Sequence, residues 1–219
     1  VLLQPGETVA VDIRTRDESG QGVAGLDLVL AASAGSLEGL SDQGGGRYRA
    51  VYRMPSSRHP QPVILAAKAP GAPPGFAVLR LRAKTTLPVN TSKPHVMVTL
   101  QIGKRSYGPH KTDARGRVTV PVEVRPGETE ALAVAVDEFG NRTHRRVEIP
   151  VPPTRLLLGM AERTRLVADG EDHTDVYLVV VRPDGTPDAN AAFVAYKKRG
   201  QVSSARRLAP GLYRLRYTA

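Results

Sequence analysis

Gly46-Arg47-Tyr48-Arg49-Ala50-Val51-Tyr52-Arg53 and Gly211-Leu212-Tyr213-Arg214-Leu215-Arg216-Tyr217-Thr218 are one stretch written twice. The offset that carries Gly46 to Gly211 also carries Val11 to Val176, Gly20 to Gly185, Ala24 to Ala189, Val29 to Val194 and Gly35 to Gly200, without a gap. Self-similarity at a fixed spacing marks an array of one supersecondary plan. Within the stretch, Tyr48, Ala50 and Tyr52 alternate with Arg47, Arg49 and Arg53. That is the period-two pattern of a strand with one face in a core and the other in water. Both tyrosines are expected on the inner face, where a ring fills volume and a hydroxyl reaches backbone.

Outward from this stretch, strand-like segments recur at short spacing. In the first segment they fall at 9–14, 26–30, 47–54, 63–67 and 77–82, with turn signals at 18–20, 43–46 and 70–75. In the middle segment they fall at 96–102, 118–122, 131–136 and 145–151, with turns at 113–116 and 137–141. Residues 85–94, with Pro88 and Pro94, read as a linker, and residues 150–153, with Pro150, Pro152 and Pro153, as a stiff extended junction. Helical periodicity is nearly absent, and Gly/Pro punctuation between short strands reads as antiparallel sandwiches. The expected fold is therefore all-β, with three tandem β-sandwich domains at 1–84, 85–153 and 154–219 joined into a semi-rigid rod. The third segment has an apolar opening stretch, Leu156-Leu157-Leu158, whose counterpart would precede Val1. Strands matching 63–67 and 77–82 would follow Ala219. The first domain is expected to lack its first strand and the last its closing strands. The chain then reads as a piece of a longer one, or as one whose missing strands a neighbour supplies.

The 219 residues include no Cys and no Trp, three Phe, 21 Gly and 18 Pro. Thiolate chemistry, disulfides and Cys-based zinc sites are excluded. Units of about 65–85 residues bury one modest core each, not a deep pocket. No apolar run reaches the ~20 residues that span a bilayer. The net charge of +10 is spread over all three segments and is carried mostly by Arg.

Asp169-Gly170, the run Val176-Tyr177-Leu178-Val179-Val180-Val181, Asp184-Gly185-Thr186-Pro187, Gly200, Gly211-Leu212-Tyr213 and Tyr217-Thr218-Ala219 together resemble an invasin/intimin-type bacterial immunoglobulin-like domain. The first segment resembles the same type through Gly20, Val23-Ala24-Gly25, Ser33-Ala34-Gly35, Gly46-Arg47-Tyr48 and Tyr52. The middle segment is a more divergent Ig-like unit, similar to other bacterial Ig-like repeats in its Asp137-Glu138-Phe139-Gly140-Asn141 turn. The resemblance implies a β-sandwich fold and a surface or periplasmic setting in the bacterial envelope, as in adhesins and stalks. It names no ligand.

Chemistry-bearing groups are sparse. None of His59, His95, His110, His144 and His173 stands in a metal-binding spacing, and no catalytic or cofactor-binding set emerges. Gly103-Lys104-Arg105-Ser106 lacks the earlier Gly and the Lys-Ser/Thr step of a phosphate loop. Asp169, Glu171, Asp172 and Asp175 form the densest acidic cluster; it reads as a solvated loop or as a calcium site. The arginines carry more. Arg14, Arg16, Arg47, Arg49, Arg53, Arg80 and Arg82 all fall opposite the apolar face of their strands. A guanidinium row suits phosphate and carboxylate partners, so these seven are either an anion- or partner-binding face or a solubilising one. With the aromatics turned inward, nucleic acid is the least suited anion. The expectation is a non-enzymatic structural or adhesive segment binding other envelope proteins or anionic envelope glycans. The alternatives are a scaffold subunit of an envelope motility or secretion assembly, or an accessory segment of an envelope enzyme.

Overall fold

Strict alternation in residues 47–53 does what the pattern requires: Tyr48, Ala50 and Tyr52 are buried and Arg47, Arg49 and Arg53 are exposed. The computed structural model describes residues 1–154 and 156–219. The chain is all-β, with seventeen strands and no helix among the described residues. They are β1 (Thr8–Arg14), β2 (Val29–Ala32), β3 (Ser36–Asp42), β4 (Arg47–Arg53), β5 (Gln61–Lys68), β6 (Gly75–Leu81), β7 (Ala83–Asn90), β8 (Met97–Ile102) and β9 (Arg105–Lys111). There follow β10 (Arg117–Val124), β11 (Glu130–Val136), β12 (Arg142–Glu148), β13 (Leu157–Ala161), β14 (His173–Val180), β15 (Gln201–Val202), β16 (Arg206–Ala209) and β17 (Leu212–Thr218). They pair into antiparallel sheets.

The chain divides into two compact units. One comprises Val1–Leu3, His59–Gln61 and Arg80–Pro153. Its sheets, β12-β11-β8-β9 and β10-β7, enclose a core that includes Leu87, Val98, Leu100, Val120, Val122 and Ala133. Residues 85–90, expected as the start of a linker, belong to strand β7, which pairs along its whole length with β10. The signal was present, since Leu87 and Val89 alternate inward, but Pro88 masked it. In a two-stranded sheet every strand is an edge, where a missing N–H is tolerated.

The other unit comprises Gln4–Arg58, Pro62–Leu79 and Thr154–Ala219, and so unites the first and third segments. It contains three sheets: β1-β4-β3, β2-β5-β6 and β13-β14-β17-β15, with β16 also on β17. Strand β5 is buried along nearly its whole length. Leu65 and Ala67 line the space shared with Val11 and Ile13 of β1. Ile64 packs instead with Val179, Val181 and Leu212 of the β14-β17 sheet, joined by Phe76, Val78, Leu156 and Leu158. An unbroken apolar run, without alternation, is how a strand covered on both faces reads. Full burial of each such side chain contributes about 1.5–3 kcal/mol. On the same side of β5, Lys68 is buried and forms an ion pair with Glu162, just past β13.

The two copies repeat one another to the level of single hydrogen bonds. Val11 opposes Ala50 and Val176 opposes Leu215. The Tyr48 hydroxyl donates to Val23 O (3.3 Å) and accepts from Leu26 N (2.8 Å). Tyr213 does the same with Asp188 O (2.9 Å) and Ala191 N (3.0 Å). Tyr52 donates to Ala34 O (3.0 Å), and Tyr217 to Arg199 O (3.4 Å). Burial pushes the Tyr52 hydroxyl up to about 12, which fits a structural donor. The segment expected as a strand at 26–30 pairs only over Val29–Ala32, because Leu26 N is taken by Tyr48.

Candidate anion-binding site

Equivalent positions of the two copies can be compared directly, and one set differs in kind. In the third segment Val179 opposes Leu212 across β14 and β17, and Val181 lies beside them. All three are buried in one apolar cluster against Ile64. Moved back to the first segment by the same offset, these positions are Arg14, Arg47 and Arg16. Arg14 opposes Arg47 across β1 and β4, and all three arginines are exposed. Like charges directly opposite each other on a sheet face are destabilising. The side chains share a surface concavity with Thr15 and the glycines Gly20, Gly22, Gly45 and Gly46. A second concavity holds Arg14 and Arg47 again, now with Asp12, Gln43 and Arg49.

Three acids nearby in sequence, Asp12, Asp17 and Asp42, have other partners. Asp12 pairs with Arg49 (3.2 Å). The Asp42 carboxylate accepts from Gly25 N (2.6 Å) and Gly44 N (2.7 Å), which hold it below the usual carboxylate range. Asp17 is likewise lowered, first by the Ser19 hydroxyl and then by Gln21 N. None of the ion pairs formed among the described residues includes Arg14, Arg16 or Arg47. Arg53 lies further along β4, near Glu38 (3.8 Å), with its guanidinium donating to Gly6 O. Arg80 and Arg82 belong to the other unit, where Arg82 pairs with Glu123 (3.2 Å). The seven arginines thus differ in setting: Arg14, Arg16 and Arg47 line one concavity, Arg49 and Arg53 stand on the same sheet beside carboxylates, and Arg80 and Arg82 belong to the other unit. The alternation placed every one of them outward; the neutralising partners, set by strand register, lay beyond it.

The acidic cluster of the third segment does not converge. Asp175 holds Arg214 (3.4 Å) and Arg216 (3.2 Å). Asp172 binds Arg163 and accepts from Val167 N, and Asp169 accepts from the backbone N–H groups of Glu171 and Asp172. Among the described residues no three His, Asp or Glu side chains are grouped so as to hold a metal ion. At the β11–β12 turn, Asp137 accepts from Asn141 Nδ2 (3.1 Å) and from Lys93 Nζ (3.1 Å). The Asn141 amide first, and then Lys93, bring the Asp137 carboxyl down to about 2. In an NMR pH titration Asp137 is expected to titrate near that value, and Asn141→Ala to move its midpoint up. A midpoint in the ordinary range for the unaltered chain, about 3.9, contradicts the turn geometry.

No protein-family model matches the chain, and no curated protein does. Among solved structures the chain is similar to the Yersinia pseudotuberculosis adhesin InvE, with 15% sequence identity and a TM-score of 0.33, over 89% of this chain and 69% of that one.

Proposed function

We propose that the chain is a non-enzymatic, structural and adhesive segment of a bacterial cell-surface or periplasmic protein. It consists of Ig-like repeats at 1–84, 85–153 and 154–219, the first and third of the invasin/intimin type. The repeats act as a spacer, and the first presents a basic face to an anionic partner of the envelope. One observation carries the reading: positions that are Val179, Val181 and Leu212 in one copy are Arg14, Arg16 and Arg47 in the other. Both copies satisfy the same backbone plan, so folding does not require arginine there. Three cations without acidic partners suit an anion bound through guanidinium forks.

A second reading, a scaffold subunit that docks another envelope protein, draws on the outer face of the β12-β11-β8-β9 sheet. Leu132, Val134 and Val136 share that face with Met97, which opposes Val136. Leu132 is 36% and Met97 39% exposed. One experiment separates the readings: retention of the whole chain on isolated envelope fractions, titrated with salt. The expected result is retention on a single component at physiological salt, lost in an Arg14→Glu/Arg16→Glu/Arg47→Glu variant. Retention that survives these reversals but falls in Leu132→Glu supports the scaffold. Weak retention on every polyanion, removed equally by salt from both proteins, leaves a spacer without a recognition surface.

A further inference from the structure

The two concavities on the β1-β4-β3 sheet share two residues, Arg14 and Arg47, and extend away from them in opposite directions. One runs towards Gln43 and Arg49, the other towards Arg16 and the backbone of Gly22, Gly45 and Gly46. We infer that this face is a two-subsite groove for a linear acidic polysaccharide, with consecutive anionic groups bound on either side of the Arg14–Arg47 pair. The inference rests on the anion-binding reading above and deepens it by naming the ligand's chemistry.

Three features select this ligand. The paired arginines line both hollows, so a single small anion occupies only one of them, while a chain with repeated charges passes Arg14 and Arg47 and uses both. The subsites differ in character. The first offers a guanidinium and an amide beside the Asp12 carboxylate, a mixture suited to a hydroxyl-rich sugar ring next to its acid group. The second offers guanidinium and the backbone of Gly20 and Gly45, where an added Cβ would meet nothing within 4 Å, so that a bulky ring has room to approach. The apolar side chains that touch the groove belong to the interior face: Tyr48 is buried, with its hydroxyl committed to Val23 and Leu26, and Ile13 alternates inward with it. A nucleic acid would want exposed aromatic platforms for its bases. A protein would want an apolar centre to the interface. The groove offers neither.

The third segment supplies the internal contrast. The same cross-strand pair is there Val179 and Leu212, the neighbouring position is Val181, and the whole patch is closed by β5. The groove is therefore confined to the first segment, and a charge reversal at the third segment's exposed Arg206 and Arg207 serves as a control that changes net charge equally.

The test is calorimetric titration of the whole chain with oligogalacturonates of one to six sugars. Parallel arms use heparin-derived oligosaccharides, short polyphosphate and an acidic peptide. Linking two charged groups converts the second contact into an intramolecular one, so affinity is expected to rise about ten- to a hundredfold between the monosaccharide and the trimer, then level off. Arg16→Ala and Arg49→Ala should each remove most of that gain and leave monosaccharide binding in place. Arg14→Glu/Arg47→Glu should abolish binding of every length, and Arg206→Glu/Arg207→Glu should not. Thermal unfolding of each variant reports whether it is folded, and Arg14→Gln/Arg47→Gln, which keeps size and hydrogen bonding, replaces the reversal if that variant unfolds. Equal affinity for one sugar and six overturns the two-subsite groove while leaving an anion site. Stronger length-dependent binding in the polyphosphate or peptide arm overturns the polysaccharide assignment. Binding unchanged by the Arg14 and Arg47 substitutions overturns both this inference and the function it rests on.

Discussion

Replacing Gly46 by alanine is expected to destabilise its unit by about 2–5 kcal/mol, a large part of the 5–15 kcal/mol typical of a whole domain. Gly46 lies at φ +71°, in the left-handed region, where a side chain costs about 1–2 kcal/mol. A Cβ there would stand 2.5 Å from Thr15 O, 2.6 Å from Gly22 Cα and 2.6 Å from Val23 N. All three are backbone atoms, so no rotamer change relieves the clash, and overpacking of this kind adds about 1–3 kcal/mol. The matched control is Gly20→Ala. Gly20 also has positive φ (+85°) but nothing within 4 Å of the added methyl, so only the conformational penalty applies. Denaturant midpoints of the two variants should therefore differ clearly, and equal losses would mean that the close approach of the two loops is not real. Gly46 also walls the concavity that holds Arg14, Arg16 and Arg47, so the variant should lose anion binding along with stability.

Lys68→Ala is expected to cost about 1–3 kcal/mol, because it removes a buried, hydrogen-bonded cation and leaves its partner Glu162, whose side chain is 28% exposed, to water. The Lys68 side chain is only 4% exposed, and its ammonium is held by the Glu162 carboxylate, by Ala69 O (3.2 Å) and, at 6.0 Å, by the Tyr177 ring. Without it the Glu162 carboxylate keeps the Gly71 N–H (2.8 Å). Taking the Lys68 charge out of water is itself expensive, so Lys68→Met/Glu162→Gln together should recover most of the loss. A double variant as unstable as the sum of the singles contradicts the pairing.

The same pair sets a pH dependence. Gly71 N–H first, and Lys68, lower the Glu162 carboxyl below its ordinary 4.5. A depressed carboxylate contributes stability that is complete above the unfolded value and disappears as pH falls through the folded one. Acid unfolding should therefore begin earlier in Glu162→Gln, with a shallower slope below pH 4.5 than in the unaltered chain.

Strands whose stability comes from a buried face were legible in the amino-acid order. Residues 9–14, 47–54 and 96–102 alternate, and they became β1, β4 and β8. Strand β3 could not be read this way. Ser36-Leu37-Glu38-Gly39-Leu40-Ser41-Asp42 is mostly exposed and is interrupted by a register shift between Glu38 and Ser41. It is held by backbone pairing to β4, which leaves no side-chain period behind. Strand β9, with Gly108-Pro109 in its middle and a register shift against β8, escaped for the same reason.

The candidate site divides along a similar line. Alternation alone sent Arg14, Arg16, Arg47, Arg49 and Arg53 to the outer face, and the recurrence of residues 46–53 at 211–218 established that two segments share one plan. Which face of that plan is covered was decided only by the tertiary structure. It laid Val179, Val181 and Leu212 on Ile64 and left Arg14, Arg16 and Arg47 open. The physical reason is that a period of two specifies which side chains share a face, because it is a property of one strand's backbone. What lies against that face depends on chain far away in sequence, and so does whether Asp12 finds Arg49 and leaves Arg14 without an acid.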